Sequence, residues 1–207
     1  MRDLIELFTA RTPNGIKVPI ALEELGAEYR LHKLALDHAS LRSPEFLQIN
    51  PNAKIPALRH RRADGETVTI FESGATLVYL AEQFSGLLGA NHATRGNTLS
   101  WLFLQVSGLG PAMGNAGHFL SFKSPDPYTL GRFQGEARRQ LSLLDERLGH
   151  HEWLNGESYS IADIAHFSWV RSASYAGQDI AEFPALERWR DTIEARPATQ
   201  SALARLD

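Results

Sequence analysis

Leu4 to Phe8 is a short apolar run broken only by Glu6, and it reads as a buried strand. Val18, Ala21, Leu22 and Leu25 then recur at helical spacing, with Gly26 as a stop. Tyr29 to Leu34 is a second strand candidate. A short helix is expected after Ser43-Pro44, because proline is preset for a first helical turn. Pro56 to His60 and Thr67 to Phe71 follow as strands, joined by the hairpin signal Ala63-Asp64-Gly65-Glu66. Leu77, Leu80, Ala81 and Phe84 form another helical stripe. A helix between the first two strands makes that pair parallel, whereas a bare turn makes the last pair antiparallel.

After Ser85 the rhythm changes. Gly86, Gly89, Asn91 and His92 suggest a linker, and the pattern beyond it is helical throughout. Leu130, Phe133, Ala137, Leu141, Leu144 and Leu148 step by three or four, as on a long amphipathic helix. Ser160-Ile161-Ala162-Asp163 reads as a capping box, in which the Asp163 carboxylate reaches back to the cap. Phe183-Pro184, Trp189 and Ile193 mark a further helix, stopped near Arg196-Pro197. The expected organisation is an α/β domain over residues 1–84, with a four-stranded mixed sheet, a linker over 85–95, and an all-α domain over 96–207.

Composition narrows the chemistry. The chain has 207 residues, 43% of them hydrophobic and 22% charged, as in an ordinary globular protein. Its net charge of −3 gives no reason to expect nucleic acid or an anionic membrane surface as partner. With no cysteine there is no disulfide, no thiolate metal site and no protein thiol nucleophile. Sulfur chemistry, if any, uses a thiol carried by the substrate. Asp3 and Glu6 within the opening apolar run argue against a signal peptide. Leu99 to Met113 is interrupted by Gln105, Ser107 and Pro111, so a buried core helix is expected rather than a membrane span of about 20 apolar residues. These readings point to the cytoplasm.

Three signals sit where strands meet turns. Thr12-Pro13-Asn14-Gly15 reads first as a helix cap, with Thr12 at the N-cap and Pro13 in the first helical position. The same helix end would favour a thiolate or other anion. Asn52-Ala53-Lys54-Ile55-Pro56 leads into a strand and reads as an edge-strand proline or a cis bond. Phe71-Glu72-Ser73-Gly74 runs from a strand into a helix start, where Ser73 or Glu72 can cap.

In this order and spacing the three signals resemble the glutathione transferase superfamily, whose members join a thioredoxin-like domain to a helical one. Lys54-Ile55-Pro56 resembles the segment before that family's cis-proline, Glu72-Ser73 its γ-glutamyl-binding pair, and Ser160 to Asp163 its helical-domain capping box. Thr12-Pro13-Asn14-Gly15 with Lys17-Val18 and Glu23-Glu24 is similar to the nu class, bacterial disulfide-bond reductases. Trp101-Leu102-Phe103, Gly108-Leu109-Gly110-Pro111 and Arg132-Phe133-Gln134 extend the likeness into the second half.

The resemblance implies glutathione as co-substrate, no metal, and a homodimer. It gives Glu72 the γ-glutamyl ammonium, Ser73 the adjacent carboxylate, Lys54 the glycyl carboxylate, and the Ile55 backbone the cysteinyl portion. Thr12 becomes the thiolate donor with Asn14 beside it, and Thr9 is the alternative hydroxyl. Arg132 is similar to a nu-class residue that contacts a second glutathione. Where that class carries a polar glutamine after the second strand, this chain has Leu41. The leading expectation is a glutathione-dependent disulfide reductase. Conjugation of an electrophile, with Phe119 or Phe122 binding an apolar substrate, is one alternative, and a non-catalytic glutathione-binding module is another.

Two further signals are set aside. Gly108 to Gly114 imitates a dinucleotide loop but follows a helical run and contains Pro111, so a kink or close packing is expected. His150-His151 cannot share a helical face, which argues against a metal site.

Overall fold

A computed structural model describes residues 3–207; Met1 and Arg2, with which the expected first domain begins, lie outside the described residues. Strands β1 (Leu4–Thr9), β2 (Tyr29–Lys33), β3 (Ala57–Arg61) and β4 (Thr67–Phe71) form one sheet in the order β2-β1-β3-β4. β1 and β2 are parallel, while β1–β3 and β3–β4 are antiparallel. The crossover and hairpin therefore fall as the sequence pattern requires.

Helix α1 (Lys17–Glu24) connects β1 to β2 and ends at Gly26, whose φ of 63° is the left-handed turn that suits glycine. The Gly26 and Ala27 N–H groups bond back to the Glu23 and Leu22 carbonyls, closing the helix end. Two single-turn helices follow, α2 (His38–Leu41) and α3 (Pro44–Leu47). Ser43 caps α3 by accepting the Phe46 N–H, and Asp37 caps α2 in the same way through Ser40. Helix α4 (Ser73–Gln83) follows β4 directly.

The described chain divides into two units, one running through Gly86 and including Pro197–Asp207, the other spanning Leu87–Arg196. This differs from the expected division in two respects. The segment expected as linker already contains the start of α5 (His92–Leu104), capped by reciprocal hydrogen bonds between Asn91 and Thr94. The last helix, α10 (Pro197–Leu206), groups with the sheet rather than with the helical unit. Its Arg205 donates to Glu23 at 2.8 Å and lies 3.9 Å from the Tyr29 ring centroid, while Ser201 donates to the other Glu23 oxygen at 2.9 Å. Arg11 pairs with Asp207 nearby.

The second unit continues from α5 through a π-helical turn, Gln105–Leu109, into α6 (Gly110–Leu120), then α7 (Pro127–His150), α8 (Ile161–Val170) and α9 (Pro184–Glu194). Of the kink or close packing expected here the structure shows the packing: Gly108, within the π turn, lies so close to Gln140 that a Cβ would meet its amide at 2.3 Å. The Leu99–Met113 stretch is not buried all round: Leu102, Leu109 and Met113 are, but Phe103 is 62% exposed. No helix among the described residues is long and apolar enough to cross a membrane.

Two buried charges set limits on stability. Asp163 is fully buried at the start of α8, where it accepts from the Ser160 N–H and hydroxyl, the Leu154 N–H and the Trp189 indole at 2.7 to 3.1 Å. The expected capping box is thus built into the core of this unit, and burial pushes the Asp163 carboxyl up to about 6 against those bonds. Lys17, at the start of α1, is 1% exposed, and burial pulls its ammonium down to about 7 while Glu72 opposes the shift.

Asp163→Ala is expected to cost about 3 kcal/mol or more by denaturant titration, because several buried donors lose their acceptor, and Ser160→Ala only about 1 kcal/mol. A pH dependence is expected from Lys17. Below the folded-state value near 7 the native chain carries the full cost of a buried charge. Between there and the unfolded value near 10.5 that cost shrinks, because only the unfolded chain stays charged. The stability of Lys17→Met relative to native should therefore fall by about 2–3 kcal/mol between about pH 6.5 and 9. A difference that is flat with pH would mean the ammonium is not desolvated.

Candidate functional site

Strand register gathers the first unit's candidates. Phe8 lies opposite Ala57, and Ala57 opposite Phe71, so β1 ends, β3 begins and β4 ends at the same edge of the sheet. Thr9 lies opposite Lys33 on the other side, and the Leu34 N–H bonds to the Thr9 carbonyl. The segments holding Thr12 and Asn14, Lys54 and Ile55, and Glu72 and Ser73 all emerge there.

The segment after β1 is tightly folded. The Thr9 hydroxyl, fully buried, donates to the Gly15 carbonyl at 2.8 Å. The Gly15 N–H donates to Thr12 Oγ1 at 3.0 Å, and the Ile16 N–H to the Thr12 carbonyl. Position 15 must be glycine, because a Cβ would stand 1.9 Å from the Ala10 carbonyl oxygen. Thr12 thus caps a separate turn rather than α1, which begins only at Lys17 with Ile16 as N-cap. This corrects the expected placement of Pro13 in the first turn of α1. Of the two hydroxyls weighed, Thr9 has its proton engaged inside the fold, while Thr12 is half-buried and acts as an acceptor, which leaves its own proton to donate.

Before β3, buried Asn50 donates its amide to the Lys54 carbonyl and accepts the Asn52 N–H at 2.9 Å. It shapes the segment that presents the exposed Lys54 and the half-buried Ile55, and the Ile55–Pro56 bond is cis. After β4, Glu72 takes a positive φ of 70° as N-cap of α4, a conformation disfavoured for a side chain with a Cβ. Its carbonyl is held by the Thr76 N–H and hydroxyl, both at 2.9 Å. Its carboxylate, however, makes no cap to the helix. The expected reading as a simple cap therefore fails for Glu72. Its exposed side chain stands beside a helix N-terminus that favours anions.

Lys17 was not among the sequence candidates, yet it joins two of them. Its Nζ donates to Asn14 Oδ1 at 2.9 Å and to Ser73 Oγ at 3.3 Å. The available signal was weak: Lys17-Val18 belongs to the nu-class likeness without a role of its own, and Lys17 opens the run Val18 to Leu22, which contains no other charge. Asn50 was missed for a plainer reason, since its partners are backbone groups.

Leu41, the departure from the nu-class pattern, packs against the cluster of Phe46, Ile49 and Ala57. Arg132 lies in the second unit on α7, exposed, on a cavity of about 470 Å³ shared with Ser107, Pro111, Phe133 and Glu136. Arg139 draws the Glu136 carboxyl down to about 2, aided by Gln140 and more weakly by Arg132. Phe119 stacks on Phe133 at 5.8 Å, and Phe122 is 48% exposed. Trp153, Trp169 and Trp189 are buried, while Trp101 is half-buried beneath Arg147. Among the described residues no group of three or more metal-ligating side chains could hold a metal ion.

Comparison with known proteins identifies the family. The family model of the glutathione S-transferase N-terminal domain matches residues 4–82, and that of the C-terminal domain matches 129–197. The disulfide-bond oxidoreductase YfcG of Escherichia coli is 45% identical over 204 residues, spanning 97% of this chain and 94% of that protein. A glutathione transferase family member from Pseudomonas fluorescens, solved with two glutathione molecules bound, superposes with a TM-score of 0.89 at 40% identity. That match covers 96% of this chain and 92% of the other. A glutathione transferase from Pseudomonas putida, solved with one glutathione disulfide per subunit, gives 0.88 at 38% identity over 96% and 90%. With both domain models matched and relatives aligned along nearly its full length, the chain belongs to the glutathione transferase family.

Proposed function

We propose that the protein is a glutathione-dependent disulfide-bond oxidoreductase of the nu class, which reduces a small disulfide with the thiolate of bound glutathione. The observation that carries this reading is the Thr12 hydroxyl, which accepts the Gly15 N–H at the exit of β1 in a chain without cysteine. A hydroxyl that accepts from one donor is the more polarised when it donates to another group. The glutathione disulfide held by the Pseudomonas putida relative supports disulfide exchange over other thiol chemistry.

Glu72 receives the γ-glutamyl ammonium, and Ser73 with the first N–H groups of α4 receives the adjoining carboxylate. Lys54 faces the glycyl carboxylate, and the Ile55 backbone pairs with the cysteinyl portion as an added strand. Thr12 donates to the thiolate, with Asn14 beside it. A free thiol titrates near 8.5, and lowering that by about two units needs roughly 2.7 kcal/mol, within reach of one charge-assisted hydrogen bond and a nearby positive charge.

The bound thiolate attacks one sulfur of the substrate disulfide. A new sulfur–sulfur bond forms, the old one breaks, and the departing thiolate takes a proton from water. A second glutathione thiolate then attacks the mixed disulfide, which releases the remaining substrate thiol and leaves glutathione disulfide. Arg132 belongs to this reading as a carboxylate partner for that second glutathione. A cytoplasmic homodimer belongs to it as well, on family grounds.

Turnover of a small model disulfide, with a chlorinated aromatic as comparison, tests the assignment. Faster reaction of the aromatic would favour conjugation, for which the stacked Phe119 and Phe133 and exposed Phe122 supply apolar surface. No turnover of either, with a glutathione-dependent rise in melting temperature, would mark a binding module. Thr12→Ala should lower kcat for disulfide reduction by about 10- to 100-fold while changing glutathione affinity much less. Equal losses in both would make Thr12 a positioning residue. Glu72→Ala should weaken glutathione binding by about tenfold in calorimetry, and unchanged affinity would remove it from the site.

A further inference from the structure

A lysine ammonium has three donors and no acceptor. The Asn14 atom that Lys17 Nζ meets at 2.9 Å is therefore the amide oxygen, and Nδ2 lies on the opposite side of the amide. The same reasoning holds for Ser73. Its Oγ accepts from Nζ at 3.3 Å, so its hydroxyl proton points away from Lys17. One buried cation thus fixes the polarity of two neighbours on different segments, one in the turn after β1 and one at the start of α4.

That polarity is what a thiolate and a carboxylate require. Asn14 is exposed, and with its oxygen held by Lys17 its amide nitrogen lies on the other side. The flipped amide would present a carbonyl oxygen to a sulfur anion and repel it. Ser73, with its oxygen turned to Lys17, likewise offers its proton to an anion at the start of α4. Burial of this charge carries a desolvation cost. A methionine would fill similar space without a desolvation cost.

We infer that Lys17 is a positioning residue that couples the two ends of the glutathione site, holding the Asn14 amide donor toward the sulfur and the Ser73 hydroxyl donor toward the γ-glutamyl carboxylate. The inference rests on the glutathione reading above. It adds that the thiolate end and the γ-glutamyl end do not act independently, because both are oriented by the same ammonium. Its charge also favours the ionised sulfur. Burial lowers the affinity of Lys17 for its own proton, Glu72 at the start of α4 raises it, and an incoming anion acts in the same direction as Glu72.

The test uses the full-length protein and reduced glutathione. Thiolate absorbance of the bound ligand, titrated with pH, reports the sulfur directly. In Lys17→Met the bound thiol should titrate about one unit higher than in native protein, and kcat for disulfide reduction should fall about tenfold or more. Lys17→Arg should recover most of both, since it keeps the charge and the donors. Asn14→Ala should fall by a similar factor, and the Lys17→Met/Asn14→Ala double variant should fall no more than about twofold further, because one residue acts through the other.

Native-like thiol titration and kcat in Lys17→Met would overturn the inference, as would losses that multiply in the double variant. If Lys17→Met fails to fold, Lys17→Gln keeps a donor without the charge. Its thiol should titrate above native while its Asn14 coupling persists, and a native titration would sink the charge contribution. If the native protein itself shows no bound-thiolate signal, the glutathione reading falls first. If native shows it and Lys17→Met matches native, only the role of Lys17 falls.

Discussion

Phe8, Ala57 and Phe71 stand abreast on three neighbouring strands, and the candidate site depends on that register. A slip of one residue would turn a whole strand over, since successive side chains face opposite sides of the sheet. The register is held by apolar and charged pairing together. Leu7 lies opposite Leu58 on one face, both fully buried. On the other face Glu6 lies opposite Arg59, which bonds it at 2.9 Å, and Arg61 reaches the same carboxylate at 3.1 Å. The Arg59 hydrogen bond holds the Glu6 carboxyl below its usual range despite burial. Shifting β3 by one residue would send arginine into the apolar face and strand the glutamate, at a cost of several kcal/mol.

The segment after β1 inherits this placement and adds its own constraint. The buried bond from Thr9 to the Gly15 carbonyl draws the chain back over the strand end, and the close Ala10 carbonyl excludes any side chain at position 15. Thr12 and Asn14 lie between those two fixed points, so their range of positions is narrow. Lys17 comes next, where the turn becomes α1. Its burial costs stability in the place where Asn14 and Ser73 gain their orientation. Stability and preorganisation are in conflict at this residue, as is common where a site rather than a core sets the residue type.

Local pattern revealed most of the elements because each is fixed by neighbours in sequence. β4 falls over Thr67–Phe71 as expected, Ser43-Pro44 opens a helix, and Ser160 with Asp163 closes its box within four residues. The contacts that escaped are those between distant segments. α10 reads as the end of a helical half, but Glu23 and Tyr29 near the other end of the chain hold Arg205 and Ser201. No periodicity in residues 197–206 encodes those partners. Lys17 was hidden for a similar reason. A charge at the start of an amphipathic helix reads as solvated, and its contacts with Asn14, three residues earlier, and with Ser73, on another element, are not encoded in that pattern. Thr12 shows the converse. Its capping chemistry was readable, but the turn it caps stops short of α1, because Ile16 separates that turn from the helix.

On the proposed glutathione reading, that displacement changes the source of positive charge available to the sulfur. The sequence suggested a helix end, which contributes about 0.3–1 kcal/mol to an adjacent anion. With α1 beginning at Lys17, the first helical residue is itself the cation. A unit charge at an effective dielectric near 20 is worth about 4 kcal/mol at 4 Å, more than a helix end contributes. Its effect is also conditional. Burial lowers the affinity of Lys17 for its proton and a neighbouring anion raises it, so in the proposed site an arriving thiolate strengthens the charge that favours it. Ligand and lysine then raise each other's ionisation. On the proposed reading, a chain that carries no sulfur nucleophile of its own can in this way let the arriving thiolate help hold the charge of the desolvated cation that orients its donors.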